Sequence, residues 1–272
     1  MMDQYGVMGC PIQHSWSPRI HQLFAKQTNQ SLVYRPILVP PDQLEQALHT
    51  FQTEGGKGLN ITLPFKQQAY ELIDKLSERA QLAQAVNTIR FDPDGSLFGD
   101  NTDGIGFIRD VIHHHQFPIS DKRVLILGAG GAARGILGPI LQESPALLVI
   151  ANRTEANANA LAAAFSSYHE SVQACALSAL TKFEFDLIIN ATSASLTDAI
   201  IELPVSLLGK QAYCYDMMYG KEPTPFMKWA QKHHVAIVSD GLGMLVEQAA
   251  ESFYIWRGVR PDTQPVLEIL RL

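Results

Sequence analysis

Arg123-Val124-Leu125-Ile126-Leu127-Gly128-Ala129-Gly130-Gly131-Ala132-Ala133-Arg134 is the stretch on which the fold turns. Its first five residues are mostly branched aliphatics, the pattern of a short parallel strand buried on both faces. Gly128 stops the run, and the alanines after Gly131 favour a helix. A strand, a Gly-x-Gly turn and a helix start bring free backbone N–H groups and the positive end of a helix dipole to one point, which suits a pyrophosphate. Ala133 stands in the place of the third glycine of Gly-x-Gly-x-x-Gly, where only a small residue is needed. Taken alone, such a glycine triplet also reads as a plain tight turn.

Context favours the phosphate reading. A second aliphatic run, Leu147 to Ala151, ends at Asn152-Arg153-Thr154, about where the motif places the residue that reads a ribose. An NAD site usually carries Asp or Glu there. Here Asn152 precedes Arg153, whose planar guanidinium is able to grip a 2′-phosphate, so the expected cofactor is NADP. The plain alternative makes Arg153 a solvated residue and Thr154 the N-cap of the next helix. Further strands are expected from Phe185 to Asn190, ending at Ala191-Thr192-Ser193, and from Ala212 to Met217, with a third ending at Asp240-Gly241-Leu242-Gly243-Met244. Their alternation with helices predicts an α/β, doubly wound parallel sheet. Gly241 and Gly243 allow backbone to approach a flat ring, on which Met244 packs or beyond which it merely starts a helix.

With 272 residues, 46% hydrophobic and 18% charged, the chain suits two domains better than one. A net charge of −6 and the lack of any basic run argue against nucleic-acid or membrane binding. His113-His114-His115 cannot close on one metal ion, because adjacent helical residues point in different directions. Cys10, Cys175 and Cys214 are odd in number and far apart, which suits a reducing cytoplasm without disulfide or zinc. The N-terminus lacks a secretory pattern and no run is long enough to span a bilayer, so a cytoplasmic location is expected.

Toward the N-terminus, strands are expected at Tyr5 to Gly9 and Leu32 to Ile37. Between them, Ser17-Pro18 signals a helix start with Ser17 as N-cap, which leaves Ser15 either solvated or facing a polyol or carboxylate ligand. In Gly58-Leu59-Asn60-Ile61-Thr62-Leu63-Pro64-Phe65-Lys66 the apolar and polar residues alternate, which puts Gly58, Asn60 and Thr62 on one side of a strand. Lys66 then opens a helix against the positive dipole end, where it is screened by water or retained for proton transfer. Asp92-Pro93-Asp94-Gly95 reads as a hairpin turn. Asp103, in Asp100-Asn101-Thr102-Asp103-Gly104, either caps the helix that follows or meets Lys66 across a cleft.

In their order along the chain these motifs resemble those of the shikimate dehydrogenase family. The resemblance rests on Ser15-Trp16-Ser17-Pro18, Asn60 to Lys66, Asn87-Thr88, Asn101 to Gly104, the glycine turn, Asn152-Arg153-Thr154, Asn190 to Ser193 and Asp240 to Gln248. It covers essentially the whole chain, and although each motif is short their joint order is specific. It implies reversible reduction of 3-dehydroshikimate to shikimate by NADPH, the cofactor supplying hydride and the enzyme a proton. It further implies that Ser15, Ser17, Thr62, Asn87, Asp103, Tyr215 and Gln248 form the polar shell of the substrate, with Lys66 as acid–base group beside Asp103. Gly128, Ala129, Gly130, Gly131, Ala132, Asn152, Arg153, Thr154, Thr192, Ser193, Gly241 and Met244 are then the expected cofactor residues.

The implied layout is a substrate domain over 1–103, completed by C-terminal helices over 244–272, and a Rossmann-like NADP domain over 104–243, with a cleft that closes on binding. A monomer or homodimer is expected. One departure stands out: NADP-preferring members often carry a second basic residue after Asn-Arg-Thr, whereas Glu155-Ala156-Asn157-Ala158 has none. The rival readings are a quinate/shikimate dehydrogenase that uses NAD, a ligand sensor without turnover, and a Rossmann protein acting on another small molecule. Retention of both Lys66 and Asp103 speaks against the sensor.

Overall fold

The aliphatic runs become strands, and the chain closes into two separate sheets. The computed structural model describes residues 2–166, 172–192 and 203–272. It divides into a first unit, Met1–Gly106 with Leu245–Leu272, and a second, Phe107–Met244.

The first unit holds β1 (Asp3–Gly9), α1 (Ser17–Gln27), β2 (Leu32–Leu38), α2 (Leu44–Thr53), β3 (Gly56–Ile61), α3 (Lys66–Glu71), β4 (Lys75–Leu76), α4 (Glu78–Ala83), β5 (Thr88–Phe91), β6 (Leu97–Asp100) and the start of α5 (Asp103–Arg109). The sheet runs β2-β1-β3-β5-β6-β4. It is mixed: β1 lies parallel to β2 and β3, whereas β5 is antiparallel to β3 and β6. The antiparallel hairpin closes at the expected turn, with Gly95 at φ +87°, a conformation glycine takes without steric cost. One face packs a core of Met8, Leu44, Leu48, Phe51, Leu59 and Ile61.

After α5 the helix passes into one π-helical turn, Asp110–His114, and the second unit follows with β7 (Arg123–Leu127), α6 (Gly131–Gln142), β8 (Leu147–Asn152), α7 (Glu155–Phe165), β9 (Val172–Ala176), β10 (Phe185–Asn190), β11 (Leu208–Asp216), α8 (Pro225–Lys232) and β12 (Ile237–Ser239). Its sheet runs β12-β11-β10-β7-β8-β9, every neighbouring pair parallel. Strand order reverses between β7 and β10, the switch point at which open α/β sheets bind ligands. The two strand ends are tied there, Ala191 N–H donating to the Leu127 carbonyl at 2.9 Å. Val124 to Leu127 are fully buried, as strands covered on both faces must be.

The chain returns through α9 (Leu242–Arg257) and α10 (Gln264–Arg271). In the first unit α9 changes the reading of β3. The side carrying Gly58 and Asn60 is covered by α9: Asn60 bonds Ser252, and a Cβ on Gly58 would collide with the Trp256 indole. Among the described residues no helix is long and apolar enough to cross a membrane, and no cluster of His, Cys, Asp or Glu is placed to hold a metal.

Candidate active site

Lys66 is the first residue of α3, and its carbonyl accepts from Val86 N–H at 2.8 Å, which ties it to the segment carrying Asn87. Its Nζ donates to Asp103 Oδ2 at 2.6 Å, with the two side chains 18% and 7% exposed. This ion pair offsets the unfavourable dipole of the helix start. The sequence left Asp103 either capping its helix or meeting Lys66. It meets Lys66: α5 opens on Asp103 rather than being capped by it, and Asn101 Oδ1 takes the Asp103 N–H at 3.2 Å. The second carboxylate oxygen accepts from Asn87 Nδ2 at 2.8 Å, so neither oxygen is idle.

Around this pair lies a buried polar network. Asn87 Oδ1 accepts from the Thr102 N–H and from Thr88 Oγ1, both at 2.9 Å, and the Asn87 amide nitrogen also faces Gln248 Oε1 at 3.3 Å. Asn60 Nδ2 lies within reach of the Asn87 carbonyl, Thr88 Oγ1 and Ser252 Oγ. Asp100, just before the loop, accepts from Ser77 Oγ and from Arg79, whose guanidinium also contacts Glu251 on α9. Buried polar groups are tolerated when bonded this fully, and they then fix one geometry.

The serine pair departs from expectation. Helix α1 begins at Ser17, with Trp16 rather than Ser17 in the cap position. The Ser15 hydroxyl, read as having no structural duty, accepts the Ser17 N–H at 3.3 Å, while Ser17 is buried. Thr62 follows β3, its N–H bonded to the Met8 carbonyl and its hydroxyl without a partner among the described residues. The structure thus brings Lys66, Asp103, Asn87 and Gln248 into one bonded cluster.

In the second unit Gly128 turns the chain at φ +104°, and its N–H donates to the Ala151 carbonyl at 2.8 Å. Thr192 lies beside it, its hydroxyl donating to Asn190 Oδ1 at 2.7 Å. Gly130 caps α6, and a Cβ built on Gly130 or Gly131 meets no protein atom within 4 Å. No packing demand explains these two glycines, whereas a phosphate laid against the backbone would. Ala129 and Ala132 are half-buried beside them, and Ala133 is fully buried where helix meets strand. The residues present therefore fit a dinucleotide.

Asn152 Nδ2 donates to the Thr154 carbonyl at 2.9 Å and shapes the loop after β8. Thr154 occupies the cap position of α7 without a side-chain capping bond. Arg153 is exposed, with no ion-pair partner among the described residues. Ser193 lies outside the described residues. Gly241 and Gly243 have packing reasons of their own: a Cβ would collide with the Met217 backbone at the first and the Asp110 carboxylate at the second. Met244 is buried. Tyr215 is fully buried on β11, and its hydroxyl donates to Asp110 Oδ2 at 2.7 Å. Burial first, then the Asp110 charge, pushes that phenol well above its ordinary range.

Asn60, Thr88, Thr102, Ser252 and Tyr34 belong to the polar network and were not singled out as site residues. Asn60, Thr88 and Thr102 carried a usable signal, since each stands beside apolar or motif residues in the stretches already quoted. Ser252 follows Gln248 by one helical turn. Tyr34, on a strand of ordinary composition, had none.

Comparison with known proteins agrees across the chain. Residues 7–89 match the family model described as the shikimate dehydrogenase substrate binding domain, residues 112–202 that of shikimate / quinate 5-dehydrogenase, and residues 241–271 that of the shikimate 5′-dehydrogenase C-terminal domain. A shikimate dehydrogenase (NADP(+)) of Methylococcus capsulatus is 52% identical over 268 residues, 98% of this chain and 96% of the relative. Among solved structures, an Ael1 enzyme from Pseudomonas putida aligns with a TM-score of 0.92 at 49% identity, covering 99% of this chain and 98% of that one. The Thermus thermophilus shikimate 5-dehydrogenase in complex with NADP(H) and shikimate aligns with a TM-score of 0.87 at 30% identity, covering 99% of each.

Proposed function

The chain belongs to the shikimate dehydrogenase family, and from that premise we propose that Lys66 and Asp103 carry the proton transfer in an NADP-dependent interconversion of 3-dehydroshikimate and shikimate. The protein is thus an oxidoreductase of the shikimate pathway acting on a CH–OH group. The observation that supports the residue assignment is the 2.6 Å contact of Lys66 Nζ with Asp103 Oδ2, braced by Asn87 on the other oxygen.

A ketone that gains hydride develops alkoxide charge and needs a proton from a group within hydrogen-bonding distance. Lys66 holds that proton at Nζ and releases it to the carbonyl oxygen; in the oxidative direction the same nitrogen takes it back. Asp103 aligns the ammonium, and Asn87 keeps the carboxylate from turning. NADP, when bound, supplies or removes the hydride. The hydroxyls of Ser15, Ser17 and Thr62 and the amides of Asn87 and Gln248 bind the substrate's carboxylate and hydroxyls. Gly128 to Ala132 and Thr192 cradle the pyrophosphate, and Asn152, Arg153 and Thr154 take the ribose 2′-phosphate, with Arg153 as the charged partner. The phenol proton of Tyr215 is already given to Asp110, so its substrate role rests on the family resemblance alone. A cytoplasmic location and a monomeric or homodimeric state belong to the same reading.

The test is the initial rate of nicotinamide reduction with shikimate or quinate, each paired with NADP or NAD. Fast turnover confined to shikimate with NADP is expected. Comparable rates with quinate or NAD would move the protein to the broader quinate/shikimate activity, and silence in all four with shikimate still binding would leave a sensor.

A further inference from the structure

One tyrosine joins two parts of the first unit that the mechanism treats separately. Tyr34 sits half-buried on the edge strand β2. Its hydroxyl donates to Asn60 Oδ1 at 2.8 Å. Burial drives the phenol well above its ordinary range, so Tyr34 remains neutral throughout the working pH range. The imidazole of His21, one turn after Ser17 on α1, stacks on the Tyr34 ring at 4.1 Å and 8° and fixes its plane. His21 is buried, with both ring nitrogens unbonded. It contributes a flat face, not a hydrogen bond.

The Asn87 carbonyl, an acceptor only, settles which way the Asn60 amide points, and the Tyr34 hydroxyl holds the oxygen end in place. With Oδ1 held by the phenol, Nδ2 turns toward the Asn87 carbonyl, Thr88 Oγ1 and Ser252 Oγ. Thr88 Oγ1 donates in turn to Asn87 Oδ1, and Asn87 Nδ2 to Asp103. A flipped amide would set its oxygen against the Asn87 carbonyl, two acceptors facing each other, and would leave the Tyr34 hydroxyl to accept rather than donate. We propose that Tyr34 is a positioning residue for the substrate: bonded to Asn60 through its hydroxyl and stacked through its ring on His21 of α1, the helix that opens on Ser17, it sets the spacing between the serine pair and the Lys66–Asp103 pair. This rests on the reading that these two groups hold opposite parts of one substrate.

Tyr34→Phe keeps the stacked ring and removes only the hydroxyl. The expected result with shikimate and NADP is a KM for shikimate raised about tenfold, with kcat within twofold, KM for NADP unchanged and an unaltered pH profile of kcat. If the phenylalanine variant does not fold, Tyr34→His, whose shorter ring cannot reach Asn60, takes its place with the same expectation. An unchanged KM in a folded variant overturns the inference, and so does a parallel loss of kcat or a change confined to thermal stability. Wild-type protein that fails to turn over shikimate overturns the reading beneath it instead.

Discussion

The two candidate sites are built from opposite materials. In the first unit side chains are bonded to one another: Asp103 has both oxygens occupied, Asn87 has both ends of its amide occupied, and Asn60 is bonded on oxygen and nitrogen alike. In the second unit the site is main chain, with two glycines whose missing Cβ atoms leave no protein contact. A prebuilt side-chain network fixes proton positions at the cost of desolvating many polar groups. A backbone cradle needs little more than a turn and a helix start, and it recognises charge without reading a side-chain pattern. Substitutions in the first should therefore change turnover or folding, and substitutions in the second should change cofactor affinity.

Lys66→Ala offers the largest test. Turnover is expected to fall by about 10²–10⁴-fold with shikimate KM changed only a few-fold, as steady-state rates would show. A raised KM with turnover intact would reduce Lys66 to a binding residue and remove the contrast between the sites.

A matched pair of glycine substitutions sharpens the comparison next. Gly58→Ala drives a Cβ into the Trp256 indole, whose N–H is committed to the Ile89 carbonyl at 2.9 Å. Overpacking of this kind costs about 1–3 kcal/mol, measurable by urea unfolding. Gly130→Ala meets nothing in the protein and sits at φ −88°, open to any residue. Its stability should stay within about 0.5 kcal/mol of the wild type while KM for NADP rises several-fold. Equal loss of stability in both variants would mean that the second glycine is structural after all.

His21 tests the cost of burial in the first unit. In the fold burial lowers its pKa from 6.5 to about 3, opposed only slightly by the nearby Asn60 amide, which makes no hydrogen bond of proper geometry with it. The unfolded chain therefore binds the proton first. The stability from this group is complete above about pH 6.5 and is lost as the pH falls toward 3, about 2 kcal/mol being gone at pH 5. Unfolding at pH 7 and pH 5 should show that difference in wild type and a smaller one in His21→Phe. The smallest effect expected is on cofactor choice: Arg153→Ser should reduce the preference for NADP over NAD about tenfold, read from the ratio of kcat/KM values.

Legibility followed the reach of each interaction. The glycine turn was readable because strand, turn and helix start lie within twelve consecutive residues, and its periodicity needs no distant partner. The pairing of Lys66 with Asp103 was one of two options left open for the aspartate. The helix decided between them by opening on Asp103 itself, whose backbone N–H Asn101 takes, which leaves its carboxylate to Lys66. The Ser17 cap was misread because serine followed by proline signals a helix start without saying which residue opens the turn. Here the helix opens on Ser17 itself and Ser15 receives its N–H. Tyr34 and Ser252 were beyond reading, since Asn60 meets them across 26 and 192 residues of sequence.

What the sequence by itself determined is the parallel α/β sheet with its phosphate-binding turn, together with the order of short polar motifs that identifies the family. Both are local: aliphatic periodicity, a residue able to take positive φ, and a helix start act over a few positions. Tertiary structure alone decided which polar atoms share a proton, which glycines make room for a neighbour and which face open space, and which tyrosine bonds the Asn60 amide. Hydrogen-bond direction and close packing depend on ångström-scale distances between segments far apart in the chain, and those distances exist only once the sheets have closed.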